Sequence, residues 1–188
     1  MNSALKIDTL NNSNINEKNL FNHYDARYKP SSVFILIFES KSNSEVLFLK
    51  RSDNLEFHKG EVCFPGGSYE KNDKDLLATA YREVEEETGI KKYEIKLLAF
   101  LDQEITRTGF TIRPFIGLIK KEVKIIVDNK EIDAYFKLSI NELRDNKNKR
   151  NYYHVVNNNL IKRNAYFCKN KLIWGATANI LTQALEVI

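Results

Sequence analysis

The segment Arg82-Glu83-Val84-Glu85-Glu86-Glu87-Thr88-Gly89 constrains this chain more than any other. Four glutamates fall within five consecutive residues, and a glycine closes the run. Helical spacing places Glu83, Glu86 and Glu87 at i, i+3 and i+4, so their carboxylates converge on one face. Like charges at such spacings cost about 0.2–0.5 kcal/mol per pair in an isolated helix. A bound divalent cation reverses that sign, and oxygen-only ligands suit Mg²⁺ or Mn²⁺. Val84, in the middle of the acidic run, belongs with Leu77 and Ala80 to an apolar stripe spaced by three and four. The spacing predicts a helix over about Lys74–Thr88, with Asp73 as N-cap and Gly89 as the terminating glycine. Pro65-Gly66-Gly67 forms a sharp turn upstream. A solvated acidic face requires no such punctuation on either side.

Around this helix the chain reads mainly as strands. Ser32–Glu39 and Glu45–Lys50 are apolar and separated by a turn-like Ser/Asn stretch. Glu61–Phe64 is a short extended piece. Ile95–Asp102, Thr111–Ile119, Val123–Val127 and Ala134–Leu138 are β-type, and Ile140–Arg144 is a short helix. Tyr152–Val156 and Ala165–Cys168 read as a late hairpin. A last helix, about Ala176–Val187, packs through Ile180, Leu181, Ala184 and Leu185. The class is α+β: a mixed sheet, one central helix and one terminal helix around a single core. Residues 1–30 are a polar, Asn-rich extension with a short helix around Ile15–Tyr24, and residues 31–188 form one domain.

Composition narrows the function classes. Of 188 residues, 43% are hydrophobic and 29% charged, a globular balance. The longest apolar run, Val33–Phe38, is strand-sized, far short of a membrane span. The first residues lack the apolar core of a signal peptide, so a cytoplasmic protein with no membrane partner is expected. Two cysteines, Cys63 and Cys168, are too few and too distant for a disulfide framework or a Cys-rich zinc site. Between Lys120 and Lys171 thirteen Lys/Arg face six Asp/Glu, a local excess of +7 within a net charge of +4. A basic half beside an acidic site suits a polyanionic ligand. The lysines show no aromatic-interleaved pattern and no nucleic-acid motif, so nucleic acid is not the expected partner. The sequence does not set an oligomeric state.

The pattern Gly67-x5-Asp73-x8-Arg82-Glu83-Val84-x-Glu86-Glu87-x-Gly89-Ile90 resembles the Nudix box. The resemblance implies an α/β/α sandwich with a mixed sheet, and metal-dependent hydrolysis of nucleoside diphosphates linked to another moiety. Three further segments resemble the coenzyme A diphosphatase subgroup. They are Leu47–Ser52 with His58-x-Gly60-Glu61-Val62-x-Phe64-Pro65-Gly66-Gly67, then Thr108–Gly117, then Ile173–Ala178. Two departures stand out. Asp73 occupies the usual Glu position with one extra residue before Arg82, a spacing found in that subgroup, and Glu56 stands where the subgroup has Arg.

The resemblance implies cleavage of the pyrophosphate of coenzyme A, or a related nucleotide, to 3′,5′-ADP and 4′-phosphopantetheine. Glu83, Glu86 and Glu87 are then metal ligands, joined by Glu131 from a later loop. Arg82 orients a carboxylate, and either Glu83 or a later-loop glutamate is the general base. Gly66 and Gly67 let backbone approach the site, while Arg51 and His58 contact phosphate or serve the structure. Trp174 reads as a core aromatic or a base-stacking residue. Two other functions stay open: a Nudix enzyme for a dinucleotide, nucleotide sugar or NTP, and a non-catalytic nucleotide binder.

Overall fold

The fold follows from one strand that is apolar on both sides. β1 (Lys29–Phe38) lacks alternation because each of its faces packs against a helix layer. The structure, a computed structural model, describes residues 27–40, 42–127, 130–156 and 158–188. The helix expected around Ile15–Tyr24 lies outside these residues.

Along β1 the parallel partner is β7 (Phe110–Ile119), in continuous register from Lys29↔Phe110 to Phe38↔Ile119. The other edge of β1 is divided. β2 (Glu45–Arg51) pairs at Ile37 and Phe38, and the short β4 (Gly66–Ser68) pairs at Ser31–Val33. β3 (Val62–Cys63) and β8 (Ile132–Ser139) flank β2, while β5 (Lys96–Phe100) and β6 (Glu104–Ile105) pair with β7. One parallel pair among antiparallel ones makes the sheet mixed, as expected.

α1 (Leu76–Thr88) covers one face. Leu76, Ala80 and Val84 pack there against Phe34, Leu36, Leu47 and Phe115. α3 (Gly175–Val187) covers the other, with Ala178, Ile180, Leu181 and Ala184 against Ile35, Ile37, Val46, Phe48 and Ile116. The single core expected from sequence is thus split into two clusters by the sheet. Burying Val84 or Leu76 contributes about 1.5–3 kcal/mol each. A smaller sheet of β9 (Lys149–Val156), β10 (Asn159–Cys168) and β11 (Lys171–Ile173) includes the expected late hairpin. α2 (Ile140–Arg144) is capped by Ser139 and Glu142 in a reciprocal box.

Three expectations are corrected. The N-cap of α1 is Asp75, which accepts from the Ala78 N–H at 2.7 Å, so α1 starts at Leu76 rather than Lys74. Val123–Val127 forms no strand; its Ile126 N–H donates to the Thr88 carbonyl at 2.9 Å and closes the end of α1 beside Gly89. Trp174 is not in the core. It is 40% exposed and meets the Tyr152 ring edge-on at 5.8 Å. Gly89 ends α1 as expected, at φ 73° with its N–H on the Glu85 carbonyl.

Candidate active site

The acidic cluster flanks the apolar stripe of α1, with Glu86 exposed and Glu87 on the buried side beside Ala80 and Val84, so the three carboxylates do not share one face. Arg82 is the hub. Its Nε and Nη2 donate to the two Asp73 oxygens at 3.1 and 3.0 Å. Nη1 donates to Glu83 at 2.9 Å and to Glu86 at 3.1 Å, and Nη2 also reaches the Ser68 carbonyl at 3.0 Å. The bidentate partner is therefore Asp73, from the loop before the helix, rather than a glutamate of the cluster. Asp73 in turn accepts from the Glu70 N–H and the Thr79 hydroxyl, both at 2.9 Å. Burial alone would raise the Asp73 pKa, but these donors and Arg82 hold it below the ordinary carboxylate value.

Glu87 turns the other way. It is buried, and its carboxylate accepts from the Gly66 N–H at 2.9 Å. Burial pushes it up to about 8; the Gly66 bond and Arg51 oppose this, while Glu83 and Glu131 add to it. Burial likewise raises Glu83, against Arg82, with Glu86 and Glu131 adding to the rise. Gly67 leaves room for Glu83: a Cβ there would lie 2.4 Å from a Glu83 carboxylate oxygen. Gly66 approaches the Ser32 carbonyl so closely that a Cβ would lie 2.2 Å from it.

Glu131 and Arg51 are brought to the same region. The Ser52 N–H donates to the Glu131 carbonyl at 2.8 Å, tying that loop to the end of β2. Arg51 acts through its charge on the Cys63 thiol of β3 and on Glu87, and its buried Nε has no partner among the described residues. Burial, then the Glu87 charge, pushes the Cys63 thiol up to about 12, and both cysteines are free. His58 is placed differently. It sits at φ 58° on an exposed loop and pairs with Glu61 at 3.0 Å.

The donor set fits a hard divalent cation: Glu83, Glu87 and Glu131 offer only oxygen, and the charge of Glu131 adds to the rise of both Glu83 and Glu87. No three acidic, His or Cys side chains among the described residues stand close enough to hold an ion, and Arg82 engages both Glu83 and Glu86. Sequence reasoning missed the role of Asp73. Its signal was the displaced position before Arg82, which capping logic assigned to the helix start. It also passed over Arg113, a buried cation inside an otherwise apolar strand.

A mixed-sheet sandwich with an Arg-organised carboxylate helix behind a Gly-Gly turn defines a class of phosphoanhydride hydrolase. The sequence profile of the NUDIX domain matches residues 28–157, and the chain belongs to that family, whose enzymes act on phosphoric anhydride bonds, generally with divalent metal. It is 27% identical over 170 residues to proteins described as uncharacterized Nudix hydrolase NudL of Yersinia pestis and Yersinia pseudotuberculosis, covering 88% of this chain and 83% of theirs. Among solved structures, a MutT/nudix family protein from Enterococcus faecalis aligns with a TM-score of 0.55 at 14% identity, covering 89% of this chain and 64% of that one. A C. elegans Ap4A hydrolase binary complex aligns at 0.52 and 13% identity, covering 60% and 82%. The NUDIX domain of Shewanella oneidensis NrtR complexed with ADP ribose aligns at 0.51 and 16%, covering 64% and 81%. These likenesses show the fold. No helix of the described residues is long and apolar enough to cross a membrane.

Proposed function

We propose that this protein is a Mg²⁺- or Mn²⁺-dependent pyrophosphatase acting on coenzyme A or a derivative, releasing 3′,5′-ADP and 4′-phosphopantetheine. The observation that carries the reading is the division of labour on α1: Arg82 anchored on Asp73, Glu83 seated over Gly67, and Glu87 buried on the Gly66 N–H. Glu83 and Glu87 would hold the cation, with Glu86 and Glu131 beside them. A bound cation supplies charge neutralisation on the phosphoryl oxygens and lowers the pKa of the attacking water. Arg82 holds Glu83 in place, and the general base is Glu83 or Glu131. Arg51, whose charge acts on Glu87, would meet a phosphate oxygen. His58 reaches one only from its exposed loop, after leaving Glu61.

The choice of coenzyme A rests on the segments Leu47–Ser52, His58–Gly67, Thr108–Gly117 and Ile173–Ala178, which resemble that subgroup. The free thiols agree with a cytoplasmic location. Glu56 favours a second reading, a pyrophosphatase for another nucleoside diphosphate-linked compound, because it would repel a nearby phosphate where the subgroup has Arg. The structural neighbours include an Ap4A hydrolase and a NUDIX domain complexed with ADP ribose.

The test is hydrolysis of coenzyme A, dephospho-coenzyme A, NADH, ADP-ribose and dNTPs at matched concentration with Mg²⁺ and with Mn²⁺. The proposal expects coenzyme A to lead, with dephospho-coenzyme A roughly 10- to 100-fold lower in kcat/KM at low salt, the worth of one charge-assisted contact. Equal values for the two would move the assignment to the second reading. Restoration of a coenzyme A preference by Glu56→Arg would then identify position 56 as the cause.

A further inference from the structure

Three polar groups on the α1 face of the sheet have no use in the site described above. Arg113 on β7 is only 8% exposed. Its Nη1 donates to the Leu101 carbonyl at 3.0 Å, and its guanidinium stands 5.6 Å from the centre of the Phe100 ring. Its Nε is buried and, among the described residues, has no partner. The same holds for the Ser32 hydroxyl on β1 and the Thr111 hydroxyl on β7, in residues 0% and 1% exposed. Asp102 is the acid that acts on Arg113, and it does so through its charge, with no hydrogen bond to it among the described residues. Native interiors pair their buried polar groups and charges, so three unpaired ones together call for a ligand.

Strand register shows where they lie. Phe34 and Phe115 are register partners, and both pack under α1. Alternation then puts Ser32, its partner Arg113, and Thr111 on that same face. Ser32 also pairs with Gly67, over which the Glu83 carboxylate sits. Gly67, Ser32 and Arg113 thus form one rung across three neighbouring strands. The rung leads from Glu83 to Arg113 over about two strand spacings, roughly 10 Å. Phe100, partner of Phe115 and 36% exposed, marks the open side.

We propose that Arg113, Ser32 and Thr111 form an anion subsite of the active site, taking a phosphate group of the substrate other than the one attacked. This rests on the reading of the Glu83–Glu87 centre as a pyrophosphatase site. The guanidinium Nε–H and two hydroxyls supply three donors, and a phosphate supplies the acceptor oxygens and the counter-charge. Arg51 on β2 and Arg113 on β7 then bracket the carboxylates from opposite sides.

The proposal predicts opposite effects on stability and binding, which a structural arginine would not show. Thermal melts of wild type, Arg113→Met and Arg113→Lys are recorded in EDTA, with inorganic phosphate titrated against chloride at matched ionic strength. Without phosphate, Arg113→Met melts at or above wild type, because an unpaired buried cation gives way to an apolar chain. Phosphate raises the wild-type midpoint, as any ligand selective for the native state must. Its apparent Kd is at least tenfold weaker for Arg113→Met, with Arg113→Lys between. A midpoint for Arg113→Met well below wild type, or its failure to fold, makes Arg113 structural and overturns the proposal. An unresponsive wild type, or equal phosphate affinity in wild type and Arg113→Met, overturns it as well. Hydrolysis of coenzyme A enters none of these readouts, so failure of the substrate reading would be seen separately.

Discussion

Asp73 and Arg82 are joined by two parallel hydrogen bonds, Nε to Oδ1 at 3.1 Å and Nη2 to Oδ2 at 3.0 Å, across nine residues of chain. The pair fixes the guanidinium so that its remaining donor edge meets Glu83 and Glu86. A planar fork held on one side presents its other side without further ordering. Asp73→Ala should therefore lower kcat by about 10- to 100-fold, with a smaller change in KM, because a group that orients a ligand is lost. Steady-state kinetics of Asp73→Ala, Arg82→Ala and the double variant check this. The two single losses should not add, and additive losses would show that the residues act independently.

Glu87 sets the pH response of the metal-free protein. Its folded pKa, about 8, lies above the ordinary value of 4.5. Between those values the native state binds more protons than the unfolded chain, so stability falls as pH rises through the window and levels above it. Melting temperatures in EDTA at about pH 5 to 9 should show this decline. Glu87→Gln should flatten it. A stability that climbs from pH 5 to 8 with no effect of the Gln variant would contradict the burial of this carboxylate.

The two adjacent glycines should respond differently to alanine. In Gly67→Ala the new Cβ meets a flexible Glu83 side chain, so the carboxylate shifts, activity falls steeply and the fold survives. In Gly66→Ala the Cβ meets the Ser32 backbone carbonyl, so the β1–β4 pairing itself is disturbed. Paired measurements of melting temperature and kcat/KM separate the two. The account expects the larger melting loss at position 66, and the opposite order would contradict it.

Much of the architecture was legible because local signals agreed. The 3–4 spacing of Leu77, Ala80 and Val84, the closing Gly89 and the apolar run Val33–Phe38 each specify an element that the fold uses. The errors share a physical origin. Asp73 and Asp75 are both good capping residues, and which one caps depends on Arg82 drawing Asp73 away. Val123–Val127 has strand composition, but Ile126 donates to the end of α1 instead of entering a ladder. Val123 and Ile125 are partly buried by packing, which composition cannot distinguish from pairing. The carboxylate cluster was legible from helical spacing, whereas the opposite orientations of Glu86 and Glu87 follow from Arg82 and the Gly66 N–H. Arg113 gave no sequence signal, because a charge in a strand ordinarily faces solvent. Only the pairing of both edges of β7 and the cover of α1 bury it.

The central claim is that Glu83 and Glu87 hold a divalent cation that makes phosphoanhydride hydrolysis fast. The direct measurement is hydrolysis of coenzyme A, followed by ³¹P NMR, for wild type, Glu83→Gln and Glu87→Gln, each with Mg²⁺, with Mn²⁺ and in excess EDTA. The account predicts 3′,5′-ADP and 4′-phosphopantetheine from wild type with metal and no turnover in EDTA. For each folded Gln variant it predicts a kcat lower by about 10² or more, equivalent to ~2.7 kcal/mol of transition-state stabilisation. Turnover undiminished by EDTA, or both folded variants within a few fold of wild type, would contradict it.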